Sequence, residues 1–105
     1  MEDLKSQFEA TTAKLIEARR NLLAAREKAI LSKENLKDTE AYLLPEIVGK
    51  NQADRDANMR TRTENQRRVL WADEIDERRA ILELEILRDC RRQLENIALI
   101  ESGEA

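Results

Sequence analysis

Residues 4–43 read LKSQFEATTAKLIEARRNLLAAREKAILSKENLKDTEAYL and contain neither proline nor glycine. Apolar and small residues recur along this stretch at alternating steps of four and three; they are Leu4, Phe8, Thr11, Leu15, Ala18, Leu22, Ala25, Ala29, Ser32, Leu36, Thr39 and Leu43. This spacing keeps every one of them on the same side of an α-helix. The stretch therefore predicts one long helix with a continuous packing stripe.

The residues after this stripe predict where the chain turns. Pro45 is the only proline, Gly49 follows it, and no further glycine occurs before Gly103. Because the residue before a proline avoids the helical region, the first helix is expected to end near Leu44.

The fold predicted from these breaks is all-α, with two long antiparallel helices in one domain covering residues 1–105. Helix 1 is expected over about 3–44, the turn over 45–50 and helix 2 over about 51–101, with Asn51 as an N-cap. A link this short favours antiparallel neighbours, so the sequence predicts a helical hairpin.

Composition agrees with this prediction and narrows the class of protein. Charged residues make up 39% of the chain and aromatic residues 3%, a balance typical of coiled coils and long helices. The chain has 19 basic and 22 acidic residues, so no overall field attracts nucleic acid or anionic lipid. Neither a signal peptide nor an apolar run of ~20 residues is present, and a cytoplasmic protein without membrane contact is expected.

The width of the apolar faces predicts self-association. Ile16, Leu23 and Ile30 each come one residue after a position of the stripe, and the apolar residues around 81–87 cover more than one side of helix 2. A single pair of helices cannot bury faces this wide, so a dimeric four-helix bundle, or docking on another protein, is expected. The expected interface residues are Trp71, Ile75, Leu82, Ile86, Leu87, Leu94 and Ile97.

The first part of helix 2 is polar and basic. Residues 50–68 carry six basic and three acidic side chains, whereas residues 73–89 carry seven acidic and three basic ones. A helix rich in arginine and asparagine can contact nucleic-acid phosphates and bases, or can be a solvated helix that pairs its own charges. The residues expected to contact a partner or nucleic acid are Arg55, Arg60, Arg62, Arg67 and Arg68.

The sequence offers little for catalysis. It contains no histidine and one cysteine, Cys90, so a thiol–imidazole pair is excluded. Cys90 falls near the apolar stripe of helix 2 and is predicted to be a buried structural thiol. The acidic residues of 73–77 lack the glycine-containing loop of a calcium site and predict a solvated, ion-paired surface. We expect no enzymatic activity, no metal and no cofactor.

Residues 49–57, GKNQADRDA, connect the two predicted helices. This segment resembles small uncharacterised helical-hairpin proteins of bacteriophages and prophages, in which a Gly-Lys-Asn-x-x-x-Arg turn begins the second helix. The resemblance implies the cytoplasm of a bacterial host or phage-infected cell and brings no functional residues with it.

Three functions are compatible with these features. The first is a non-enzymatic, self-associating helical hairpin that acts as a structural or adaptor module, with itself (as a homodimer or larger oligomer) and another protein as partners. The second is a phage nucleic-acid accessory protein in recombination or replication, which binds through the arginine-rich start of helix 2. The third is a phage-encoded inhibitor of a host or defence protein, which uses the acidic surface of 73–89.

Overall fold

The computed structural model describes residues 3–103, and every regular element in this range is helical. Helix α1 spans Leu4–Leu43, a short 3₁₀ helix spans Leu44–Glu46, α2 spans Gln52–Arg62 and α3 spans Glu64–Ser102. The all-α prediction is therefore confirmed.

Capping and a proline set the ends of α1. The backbone N–H of Ser6 donates to Oδ1 of Asp3 at 2.7 Å, which satisfies a free donor of the first turn. This hydrogen bond stabilises the charged carboxylate and lowers the pKa of Asp3 below its ordinary value. At the other end, Pro45 lies in the first turn of the 3₁₀ helix, where its missing N–H costs nothing.

Two residues shape the start of α2. The side chain of Asn51 accepts a hydrogen bond from the backbone N–H of Asp54 at 2.9 Å, so Asn51 is the N-cap, as its sequence context predicts. A Cβ atom on Gly49 would lie 2.7 Å from the backbone nitrogen of Arg55. Only glycine therefore allows the turn to approach α2 this closely.

The predicted helix 2 is divided at Thr63, whose backbone angles (φ −110°, ψ 18°) are not helical. Its hydroxyl donates to the carbonyl of Met59 at 2.8 Å, and the hydroxyl of Thr61 donates to the carbonyl of Ala57 at 3.0 Å. Such bonds from threonine to the carbonyl four residues earlier compete with the backbone ladder and bend helices. Two neighbouring threonines therefore account for the break.

The chain divides into two compact units, of which the first comprises Met1–Ala24 and Arg78–Ala105. Its core consists of four buried residues: Leu15, Ala18, Leu22 and Leu84. Thr11 lies beside Leu94, whereas Ala18 lies beside Ala80, so the segments of α1 and α3 run in opposite directions here.

The second unit, Ala25–Glu77, contains the turn, α2 and the first part of α3. Ala29 and Leu36 of α1 are buried, but the buried residues on the returning segment are polar, namely Thr63 and Asp73. Arg62 forms an ion pair with Glu46 at 2.9 Å, and the side chain of Asn58 donates to the carbonyl of Val48 at 3.3 Å. Polar contacts therefore supplement a thin apolar core in this unit.

Candidate interaction surfaces

The chain exposes more large apolar side chains than it buries. Among residues 3–103, fourteen large hydrophobic side chains are exposed, while seven hydrophobic residues are buried and two of these are alanines. Contiguous exposed apolar surface on a small protein usually marks a place where another molecule binds. The positions of these side chains therefore define the candidate surfaces.

One such surface lies on α3 in the first unit. Leu82, Ile86 and Ile97 are 57%, 62% and 44% exposed, and Ile100 is 67% exposed. Their separations of four, eleven and three residues place them on the same side of the helix. We call these four residues the outer face; the interface predicted from the sequence contains Leu82, Ile86 and Ile97 but not Ile100.

Leu87 and Leu94 do not belong to the outer face. Leu87 is partly buried and packs against the core cluster of the first unit, and Leu94 is 9% exposed. Both residues therefore stabilise the packing of α3 within the unit, and the interface predicted from the sequence combined two different sides of this helix.

A shallow groove in the second unit lies beside the only tryptophan. It is lined by Arg60, Thr61, Glu64, Arg67, Arg68 and Trp71. Trp71 is 68% exposed, and Ile75, one turn further along α3, is half-buried. The groove thus combines a large exposed aromatic ring with three guanidinium groups and one carboxylate.

The five predicted arginines have different surroundings. Arg55 donates to the carbonyl of Gly49 at 3.4 Å, and Arg62 pairs with Glu46, so these two stabilise the turn and lie outside the groove. In the groove, Nε of Arg67 donates to the Thr63 hydroxyl at 3.0 Å. Three of the five, Arg60, Arg67 and Arg68, are therefore brought together beside Trp71.

The groove arginines also differ in how firmly they are held. Arg68 forms an ion pair with Glu64 at 2.6 Å, with both side chains exposed. Within residues 3–103, the side chain of Arg60 makes no hydrogen bond or ion pair. Arg60 and the remaining donors of Arg67 and Arg68 can therefore bind an anionic group from outside the chain.

Asp73 contradicts the prediction that residues 73–77 form a solvated surface. It is 4% exposed, and its Oδ2 accepts a hydrogen bond from the hydroxyl of Ser32. Nζ of Lys28, whose side chain is largely exposed, lies 3.7 Å from its Oδ1. The prediction failed because Asp73 lies three residues after Leu70 and seven before Ala80, on the side of α3 that packs against α1. This position on the helix buries the side chain although it is polar.

Cys90 is exposed, so the prediction of a buried structural thiol is wrong. It lies three residues after the half-buried Leu87 and four before the buried Leu94, which places it toward the packed side of α3. It lines an open pocket together with Thr11 and Lys14 of α1, and no large apolar side chain of α1 covers it there.

No helix within residues 3–103 has both the length and the apolar character needed to cross a bilayer. The same residues contain no group of three or more histidine, cysteine or acidic side chains that could hold a metal ion. Comparisons with protein-family models, with curated proteins and with solved structures find no match to this chain. Functional conclusions therefore rest on the two surfaces described above, the outer face and the groove.

Proposed function

We propose that this chain is a two-helix hairpin that self-associates and acts as a structural or adaptor module without enzymatic activity. The outer face supports this proposal most strongly, because α3 presents four large apolar residues there while its other side is already packed against α1. The antiparallel packing of α1 and α3 within the first unit supports the hairpin.

The energetics of the outer face favour association. Fully burying one leucine or isoleucine side chain contributes about 1.5–3 kcal/mol. When a second copy covers the outer face of each chain, Leu82, Ile86, Ile97 and Ile100 lose on both copies the 44–67% exposure that they have in the single chain. This gain can offset the roughly 4–15 kcal/mol lost in translational, rotational and side-chain freedom when two proteins associate.

Sedimentation equilibrium tests the proposal directly. At micromolar concentration the protein is expected to have about twice its monomer mass of 12.2 kDa, or more. Ile86→Asp is expected to raise the dissociation constant at least ~10-fold, because the new carboxylate must be desolvated at the interface. A monomeric wild-type protein at every accessible concentration would contradict self-association.

Leu31→Asp provides the matched control for Ile86→Asp. Leu31 is 58% exposed in the interior of α1, and its neighbours on the helix, Glu27, Glu34 and Asn35, are polar. This variant changes charge and helix propensity in the same way outside any apolar face, so its dissociation constant should equal that of the wild type.

A second candidate function is supported by the groove. An exposed aromatic ring beside guanidinium groups is the arrangement that binds single-stranded nucleic acid, with a base stacked on the ring and the phosphates near the arginines. Trp71 and the side chains of Arg60, Arg67 and Arg68 provide these groups. The corresponding proposal is a nucleic-acid accessory protein.

Fluorescence anisotropy with labelled single-stranded DNA tests this second candidate. Binding should weaken as salt increases, and changing Arg60, Arg67 and Arg68 together to glutamine should reduce the salt dependence. A triple change of Arg88, Arg91 and Arg92 to glutamine removes the same charge elsewhere on α3 and should have little effect. Absence of binding at low salt would exclude the nucleic-acid role.

A further inference from the structure

We infer that two copies of this chain pair antiparallel across Trp71, with Arg67 of each copy opposite Glu74 of the other. This inference rests on the proposed self-association and adds its orientation and its central contact. The groove beside Trp71 would then be occupied by the same segment of a second copy.

The spacing around Trp71 supports this arrangement. Arg67 and Arg68 precede the tryptophan by four and three residues, and Glu74 and Ile75 follow it by three and four. All of these residues belong to the second unit and to the continuous helix α3. Steps of three and four keep them on the same side of the helix as Trp71.

A two-fold axis through Trp71 selects complementary neighbours. In an antiparallel pair, a residue before the centre faces residues of the other copy that lie about the same distance after the centre and on the same flank of the helix. Arg67 and Glu74 share one flank of Trp71, and Arg68 and Ile75 share the other. Arg67 then lies opposite Glu74 to within one residue, or about 1.5 Å along the axis. On the other flank, the aliphatic stem of Arg68 covers Ile75, which is half-buried within a single chain.

A parallel pair would have the opposite charge relationship. Its symmetry would place Arg67 and Arg68 of one copy against the same two arginines of the other, and like charges at an interface are unfavourable. The order of charges along α3 therefore discriminates between the two orientations.

The groove favours a second copy over a nucleic-acid strand. Its wall contains the carboxylate of Glu64 as well as its three arginines, and Glu74 is exposed on the far side of Trp71. A polyanion would meet both carboxylates. A second copy would instead bring its own Glu74 to the basic side of the groove.

Two features prepare this surface for binding. The hydrogen bond from Arg67 to Thr63 fixes the side chain through Nε and leaves its terminal nitrogens available for a carboxylate. Trp71 would lose most of its 68% exposure, as expected for an aromatic residue near the centre of an interface.

Charge exchange between two variants tests the central contact. Glu74→Arg alone, and Arg67→Glu combined with Arg68→Glu, should each raise the dissociation constant at least ~10-fold, because like charges then face each other. An equimolar mixture should recover dimers, since every reversed charge meets an opposite one. Circular dichroism checks the fold of each variant, and Glu74→Arg leaves the Thr63–Arg67 bond intact. Asp76→Arg, on another side of α3, is the matched control and should behave as wild type.

The tryptophan provides an independent measurement because the chain contains only one. Its emission should shift to longer wavelength when the wild-type dimer is diluted into monomers. The same shift should be present at all concentrations in Glu74→Arg.

Cross-linking tests the orientation. In a Cys90→Ser background, Ala72→Cys places a thiol beside the axis, and Ala57→Cys places one far from it. A short thiol-reactive linker should join two copies at position 72 and not at position 57. Linking at both positions would indicate parallel pairing and overturn the inference.

The outcomes separate this inference from the proposed function. A monomeric wild-type protein would overturn both. A dimer that is unaffected by the charge variants and unlinked at position 72 would overturn the antiparallel contact and leave association through the outer face. Loss of DNA binding in the arginine variant, without change in its mass, would assign the groove to nucleic acid and overturn the inference.

Discussion

Leu22→Ala is expected to lower the free energy of unfolding by about 2–5 kcal/mol, whereas Leu23→Ala should change it by less than ~1 kcal/mol. Leu22 is 6% exposed and belongs to the core cluster of the first unit, while Leu23 is 66% exposed. Both substitutions remove the same atoms from adjacent positions of α1 and have the same effect on helix propensity. Only the first leaves a cavity.

The effect of Leu22→Ala should be large relative to total stability. Domains are typically stable by about 5–15 kcal/mol, and this chain has few large buried side chains across residues 3–103 to contribute to that sum. Urea unfolding followed by circular dichroism measures both variants, at a concentration where sedimentation shows monomers. Equal losses for Leu22→Ala and Leu23→Ala would contradict the assignment of the buried side of α1.

The stripe of α1 could be predicted from the sequence because apolar spacing and burial coincide there. Leu15, Ala18, Leu22, Ala29 and Leu36 all belong to the predicted heptad, and all are buried. Prolines and glycines were equally informative, since α1 ends at Leu43 and α2 begins at Gln52, close to the predicted limits. Local steric rules determine these features, so a single sequence was sufficient.

The packed side of the returning segment could not be predicted in the same way. Most of its buried and half-buried residues also follow steps of four, three or seven, but several of them are polar; the series is Met59, Thr63, Gln66, Leu70, Asp73, Glu77, Ala80, Leu84, Leu87, Leu94 and Ala98. A heptad repeat that is recognised from its apolar residues cannot be detected in a segment where threonine, glutamine and acidic residues fill the heptad positions. The isoleucines at positions 75, 86 and 97 form the most regular apolar series of this segment in the sequence, but they lie on another side of the helix.

The candidate surfaces depended on this distinction. The predicted interface combined Leu87 and Leu94 with Leu82 and Ile86, because all four are apolar and close in sequence. Their exposures separate them into a packed side and an outer face. Arg67, Arg68 and Trp71 are grouped by their spacing along α3, whereas Arg60 and Thr61 join the groove only through the placement of α2 beside α3.

Ser32→Ala is expected to lower the free energy of unfolding by about 1–3 kcal/mol, because it leaves the buried Asp73 carboxylate without its hydroxyl donor. Lys28 is a weak substitute, since its ammonium lies 3.7 Å away on an exposed side chain. Asp73→Leu should be close to or above wild-type stability, because replacing a buried charge by an apolar side chain removes its desolvation cost. Ser32→Ala combined with Asp73→Leu should therefore recover the stability that Ser32→Ala alone loses, and urea unfolding of the three variants measures this. A double variant no more stable than Ser32→Ala would contradict the interpretation.

A buried aspartate that lowers stability can still fix the orientation of a helix, and the geometry of α3 shows how Asp73 does so. Residues two apart on a helix point about 200° apart, so the contact between Asp73 and Ser32 turns Trp71 away from α1. A leucine at position 73 would allow α3 to rotate or slip against α1, because an apolar side chain specifies no single partner. At dilution, Asp73→Leu should therefore shift Trp71 emission to shorter wavelength and produce more than one set of amide resonances. Asp76→Leu, the exposed counterpart, should do neither. A single set of resonances with unchanged emission in Asp73→Leu would show that apolar packing alone fixes α3 and keeps Trp71 exposed.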